Sequence, residues 1–168
     1  CSSDLMAGDK AILAEAYASR GWTRALQGGN HEADAQADLL KAYRQRRHLN
    51  PENKARLANC FAVFRITQEE LPKALIWLNR EDKLANKIQN VAERERAKVR
   101  VAYYKGEIFF RLQDYCKAQT WLEKAREEGE RIEWQRFVIY ANNWLAEIDI
   151  KMDRLLDARH KLREGLEE

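Results

Sequence analysis

The chain has 168 residues, 45% of them hydrophobic and 34% charged, with only seven Gly and two Pro. That length can bury a continuous core without disulfides or metals, and a composition rich in Ala, Leu, Glu, Lys, Arg and Gln with so few breakers points to helices joined by short turns, an all-α class. The formal charge of +3 comes from 30 basic and 27 acidic residues that are interleaved along the chain, which speaks against the one-sided basic stripe of a nucleic-acid reader.

Taken in order, eight helices are expected, near residues 5–27, 31–48, 51–66, 68–89, 91–112, 114–128, 131–151 and 154–167. Asn30 is expected to cap the second. The run Arg44-Gln-Arg-Arg-His48 ends that helix, where cations complement the dipole and reach open carbonyls. We place this reading ahead of a phosphate-binding patch. Asn50-Pro51 opens the third helix, with Asn as the cap and Pro at the first helical position, where a missing N–H costs nothing. Thr67-Gln-Glu-Glu70 has the TxxE spacing of a capping box for the fourth. Asp114 and Asp153 are expected to cap the sixth and eighth, and Gly129 to close the sixth. On the seventh, Trp134, Phe137, Val138, Ala141, Leu145 and Ile148 recur at three- and four-residue steps. One partner helix cannot cover so wide a stripe, so each helix pair must pack on the next.

The pairs also repeat in sequence. From Ala102 to Ala125, small Gly106 and large Phe109 stand on one helix, a turn falls at Asp114-Tyr115, and Ala118, Leu122 and Ala125 stand on the next. This resembles the tetratricopeptide repeat. Leu145, Ala146, Leu155, Ala158 and Leu162 repeat the pattern, with Asp149 and Gly165 departing from it, and Phe61, Ala62, Leu71, Ala74 and Leu78 repeat it earlier with Arg65 off pattern. Gly21, Gly29, Asn30, Ala35, Leu39 and Ala42 form the loosest copy. The alanines Ala35, Ala74, Ala118 and Ala158 are spaced by 39, 44 and 40 residues, longer than the about 34 of a strict repeat. Units of this length, with motifs such as GEIFFRLQDYCKAQTWLEKA and WLAEIDIKMDRLLDARHKL, resemble the sensor arms of bacterial signal-transduction (STAND) ATPases of the maltose-regulator type and their cyanobacterial relatives. The resemblance implies a right-handed α-solenoid of about four helix pairs over residues 1–168, a single repeat domain that could be part of a longer multidomain protein. Any nucleotide site of such an ATPase would lie outside this chain.

Little else carries chemistry. His31, His48 and His160 are scattered, and neither HExxH nor CxxC occurs, so no metal or other cofactor is expected. Gly28-Gly29 is the densest glycine pair and reads as a turn, not a phosphate cradle. Ser2, Ser3 and Ser19 have no candidate base nearby, and Glu69-Glu70 and Glu127-Glu128 read as solvated faces. No enzyme is expected. Cys60 and Cys116 fall on expected helices among apolar neighbours and should be buried, reduced thiols. Together with the lack of any run of roughly 20 apolar residues, this favours a soluble chain in the cytoplasm. Cys1-Ser2-Ser3-Asp4 resembles the start of a mature bacterial lipoprotein, although an arbitrary boundary at Cys1 is the preferred reading.

In tetratricopeptide stacks the first helix of each pair lines the inner groove. Carried over residue by residue, its positions are Trp22 in the first unit and Arg56, Asn59 and Val63 in the second. In the third they are Arg100, Tyr103, Glu107 and Phe110, and in the fourth Tyr140, Asn143, Glu147 and Ile150. Amides, guanidinium groups and flat aromatics suit capture of a peptide, a protein segment or a small effector. The competing reading makes the tyrosines and Trp22 packing residues. Trp77, Trp121 and Trp144 are expected in the core, and Arg100 and Asn143 at the accessible groove surface. The expected function is a non-catalytic binding scaffold, the sensor or interaction arm of a bacterial regulatory protein. The alternatives are a lipid-anchored envelope adaptor, suggested by Cys1, and an RNA-binding helical repeat, suggested by Arg44 to Arg47 and Arg94 to Arg100.

Overall fold

A computed structural model describes residues 2–167, with side chains for residue 6 and residues 8–154. Cys1, and the side chains of Leu155, Ala158, His160 and Leu162, lie outside the described residues. Among the described residues there are seven α-helices and no strand: α1 (Ser2–Gln27), α2 (Glu32–Arg44), α3 (Pro51–Thr67), α4 (Leu71–Ala85), α5 (Val91–Arg111), α6 (Tyr115–Arg131) and α7 (Gln135–Glu167). Short 3-10 turns at Gly29–His31 and Arg46–His48 lead into α2 and α3. No described helix is long and apolar enough to cross a membrane.

Three caps follow from polar side chains at helix starts. The side-chain oxygens of Asn50, Asn90 and Asp114 accept from the backbone N–H groups of Asn53 (2.7 Å), Glu93 (3.2 Å) and Lys117 (3.2 Å), each satisfying a donor that the first helical turn leaves open. Asn30 does not cap: it lies within the Gly29–His31 turn, and the residue before α2 is His31, without a side-chain bond. Thr67 and Glu70 form no capping box. Thr67 is the last residue of α3, its hydroxyl donates to the Phe64 carbonyl at 2.8 Å, and Glu70 pairs with Arg65 and Lys73.

The turns that end α3, α5 and α6 share one geometry. Glu69, Gln113 and Glu133 have φ of 55°, 61° and 56°. The next N–H in each case reaches back five residues, from Glu70 to the Arg65 carbonyl (2.9 Å), Asp114 to Phe109 (3.0 Å) and Trp134 to Gly129 (2.8 Å). This is the Schellman closure, which glycine usually makes. Gly129 therefore does not close α6. It is buried inside that helix, where an added Cβ would lie 3.1 Å from Val138 Cγ2, so its role is close approach to α7.

The expected break between a seventh and an eighth helix is absent, and α7 continues through Asp153 to Glu167. Lys151-Met-Asp-Arg154 contains neither Gly nor Pro, and one Asp among good helix formers costs too little to stop the hydrogen-bond ladder.

Each helix packs on its neighbour in sequence, and α1 also touches α3, α3 touches α5, and α5 touches α7. The odd-numbered helices therefore form one layer. The core runs between the layers as linked clusters: Ala35, Leu39, Leu57 and Phe61 at one end, Ala62, Leu78 and Ile108 in the middle, and Ala118, Leu122, Ala141 and Ile148 at the other. Trp77, Trp121 and Trp144 pack half-buried against these clusters. Each fully buried leucine or isoleucine contributes roughly 1.5–3 kcal/mol by leaving water.

Candidate functional site

A groove of about 520 Å³ runs across the odd-numbered helices, lined by α1 (Glu15, Ser19, Trp22, Thr23), α3 (Asn53, Arg56, Asn59, Cys60), α5 (Glu93, Arg96, Arg100), the turn before α7 (Trp134) and the start of α7 (Arg136). Its volume is that of an ordinary small-ligand or short-peptide site.

Beneath the groove lies a buried carboxylate. Glu81 on α4 is fully buried, accepting from Asn59 Nδ2 on α3 and from Arg100 Nε on α5, each at 3.0 Å. Its position follows from the helical period, because Ala74, Leu78, Glu81 and Ala85 are all buried on one face of α4. Burial pushes its carboxyl up to about 7, against the opposing pull of Arg100 and Asn59. The Cys60 thiol is pushed up to about 12 by burial and by the Glu81 carboxylate, so it is neither an acid nor a ready nucleophile.

The groove wall is a charge network. Arg56 bridges Glu52 and Glu93, each at 2.9 Å, and Glu93 also takes Arg96 at 2.8 Å. Burial opposes ionisation of Glu93, yet its hydrogen bonds from Arg56 and Arg96 prevail and hold the carboxyl below its ordinary value. At one end, the Arg96 and Arg136 guanidinium groups each lie 5.8 Å from the Trp134 ring, within cation–π range. Arg136 is exposed and has no carboxylate partner among the described residues. Neither terminal nitrogen of Arg100 has a protein acceptor among the described residues. Trp22, 37% exposed, supplies a flat apolar surface.

Four of the nine expected groove residues, Trp22, Arg56, Asn59 and Arg100, line this cavity, and the other five do not. Two of the four differ from expectation. Asn59 is buried and Arg100 has a side chain only 14% exposed, because both are spent on Glu81. Tyr103 is half-buried; its hydroxyl accepts from Trp144 Nε1 at 3.1 Å, and its ring meets Phe137 edge-on at 5.2 Å. Glu107 is buried and held by Arg111 at 2.8 Å. Val63 is buried as well, and Phe110 packs on Trp144 with ring centroids 4.7 Å apart. Tyr140, Asn143, Glu147 and Ile150 are exposed on α7 away from the cavity.

The groove positions expected from the repeat leave out Glu15, Glu93, Arg96, Trp134 and Arg136, of which Trp134 is expected in the apolar stripe. Repeat positions start several residues into each first helix; Glu93, Arg96 and Arg136 lie nearer the helix starts, Trp134 on the turn before α7, and Glu15 in the middle of α1, about two turns before Trp22. Against the expectation that both cysteines are buried, Cys60 is only half-buried at the groove, and Cys116 is exposed on α6 beside the buried Ala118 stripe. Among the described residues no group of three or more His, Cys, Asp or Glu side chains could hold a metal ion.

In comparisons with known proteins, no family model, no curated protein and no solved structure matches the chain.

Proposed function

We propose that the chain is a non-catalytic recognition module built on a right-handed, tetratricopeptide-like stack, serving as the sensor or interaction arm of a bacterial regulatory protein and taking an extended peptide or protein segment along its groove. The observation that carries this reading is the groove itself. It is lined by every odd-numbered helix, with exposed Trp22 and the Trp134–Arg136 pair among its lining residues. Arginine and flat aromatics are the side chains that dominate binding at such surfaces. The buried Glu81 network fixes α3, α4 and α5 relative to one another, which presents the groove preformed and lowers the ordering cost of binding.

A peptide array of five-residue segments, half of them carrying Asp or Glu beside an aromatic or aliphatic residue, tests this directly. Acidic–apolar segments should be enriched among binders, and the Trp22→Ala and Arg136→Gln variants should each weaken their binding by about tenfold. An array without enrichment, or binding indifferent to both variants, would remove the proposal.

A further inference from the structure

A second cavity, of about 340 Å³, lies where the end of α2 and the Arg46–His48 turn meet α3 and α4. Its charged lining consists of Arg44, Arg46, Arg47, Lys54 and Arg80, with no carboxylate among the lining residues. None of these five cations makes an ion pair with a carboxylate among the described residues. Elsewhere the fold pairs its arginines closely, as with Arg20 on Asp38 at 2.7 Å and Arg131 on Glu95 at 2.6 Å.

Two of the cations are held by aromatic rings instead. The Arg46 guanidinium stacks 4.0 Å from the Tyr43 ring centre and donates to the Tyr43 carbonyl at 2.9 Å. Arg80 lies 5.3 Å from the Trp77 ring and donates to the Tyr43 hydroxyl at 3.1 Å. Trp77 is itself fixed by stacking on Phe61 at 4.3 Å. The Arg46 bond to a carbonyl at the end of α2 is the helix-end role expected from the sequence, and it uses one nitrogen of one arginine. It gives no reason for Arg80 and Lys54, from two other helices, to converge on the same cavity. The floor is apolar, made by Leu57, Ala58, Trp77 and Leu84. Close by, His48 is held below its ordinary value by burial first and then by the charges of Arg47 and Lys10.

Five like charges facing one partly enclosed, apolar-floored space repel one another, and a multivalent anion relieves that repulsion. Guanidinium forks match phosphate oxygens in geometry as well as charge. We propose that this cavity binds a small organic polyphosphate, its phosphates on the arginine rim and its apolar or aromatic part against Trp77, Leu57 and Leu84. The site shares only Leu57 with the groove lining and does not rest on the function proposed for the groove. It recognises without hydrolysing, since no group in the lining is placed to activate water.

The test is isothermal titration of the full chain, at low salt and without divalent metal, with ADP, pyrophosphate and adenosine. Saturable ADP binding is expected, with weaker binding of pyrophosphate and none of adenosine, and it should weaken as salt is raised. The double variant Arg46→Gln/Arg80→Gln should lose about tenfold or more in ADP affinity, while Arg136→Gln in the groove should leave it unchanged. Should the double variant lose its helical circular dichroism, Arg47→Gln/Lys54→Gln carries the same expectation at residues that support no aromatic packing. ADP should also quench tryptophan fluorescence in the parent chain and not in Trp77→Phe. Adenosine or pyrophosphate binding as tightly as ADP, absence of ADP binding, or affinity indifferent to the folded variants would overturn the proposal. So would tighter binding of a ten-nucleotide oligouridine than of ADP, which would make the patch a nucleic-acid surface.

Discussion

Gly106 on α5 and Leu122 on α6 meet so closely that a Cβ on the glycine would lie 2.5 Å from Leu122 Cγ. The same relationship joins Gly21 on α1 to Leu39 on α2, where the distance would be 2.9 Å. In both pairs the leucine is fully buried, and the missing side chain lets two helices approach until the leucine fills the gap. Between them, Ala62 and Leu78 occupy the corresponding places on α3 and α4, both fully buried.

Gly106→Ala should therefore destabilise the fold by about 1–3 kcal/mol through overpacking, even though alanine is the better helix former. Leu122→Ala should be destabilising alone and should recover part of the loss in the double variant, a coupling readable from urea denaturation midpoints across the four proteins. Additive costs would mean that the two side chains do not share the space.

These small-and-large pairs were legible in the sequence, because they recur at fixed places in the repeat, and so were the caps at Asn50 and Asp114. The ends of α3, α5 and α6 were harder to read, since Glu69, Gln113 and Glu133 hold the left-handed conformation without the glycine that normally announces it. The length of α7 was missed because Asp153 signals a cap only if the chain has a reason to turn there. The candidate site was half visible. Glu81 stands in the polar run Asn79-Arg-Glu-Asp-Lys83, and only its spacing from Leu78 and Ala85 places it inside. Once it is buried, Asn59 and the Arg100 Nε are drawn in to satisfy it, leaving only the terminal nitrogens of Arg100 for the groove.

A left-handed glutamine is strained by roughly 1–2 kcal/mol, while glycine adopts the same conformation at an entropic cost of roughly 0.5–1 kcal/mol. Gln113→Gly should accordingly stabilise the protein by about 0.5–1 kcal/mol, seen as a higher urea midpoint with an unchanged slope. A lower midpoint would show that the Gln113 side chain makes a contribution beyond the turn.

The Glu81 carboxyl titrates near 7 in the folded protein and lower when unfolded, so the folded state holds the extra proton between those values. This contribution to stability is fully present below the ordinary carboxylate range and is lost as pH rises through about 7. Glu107, raised by its own burial, acts in the same direction. Denaturant midpoints should fall from pH 5 to pH 7.5, with a slope of at most about 1.4 kcal/mol per pH unit for one group. Glu81→Gln should flatten that slope, and an unchanged slope would assign the effect to other residues.

Thiol labelling separates the two helical cysteines. Cys116 is exposed, and Cys60 sits at the groove with its thiol pushed up to about 12. A maleimide or disulfide reagent near neutral pH should modify Cys116 rapidly and Cys60 only slowly, with peptide mass spectrometry distinguishing the sites. Equal rates would show that the groove floor opens readily.

Arg100 and Arg136 both face the groove, and their side chains do opposite work. Arg100 satisfies a fully buried carboxylate that has only one other donor, Asn59. Removing one partner of a buried ion pair costs up to about 3–5 kcal/mol where the remaining group stays charged, and less near pH 7, where Glu81 readily takes up a proton. Arg100→Ala should therefore lower the melting temperature, and most at pH 8 and above. Glu81→Gln/Arg100→Ala should recover part of that loss, since the neutral amide no longer needs a cation. Arg136 is exposed, holds no carboxylate among the described residues and touches only the rings of Trp134 and Phe137, so Arg136→Ala should stay within about ±0.5 kcal/mol. The sequence pattern alone places Arg100 among freely substitutable groove residues. Thermal unfolding of these three variants decides between that assignment and the buried network: if Arg100→Ala melts with the parent protein, Glu81 is not held as described and the groove has no fixed floor.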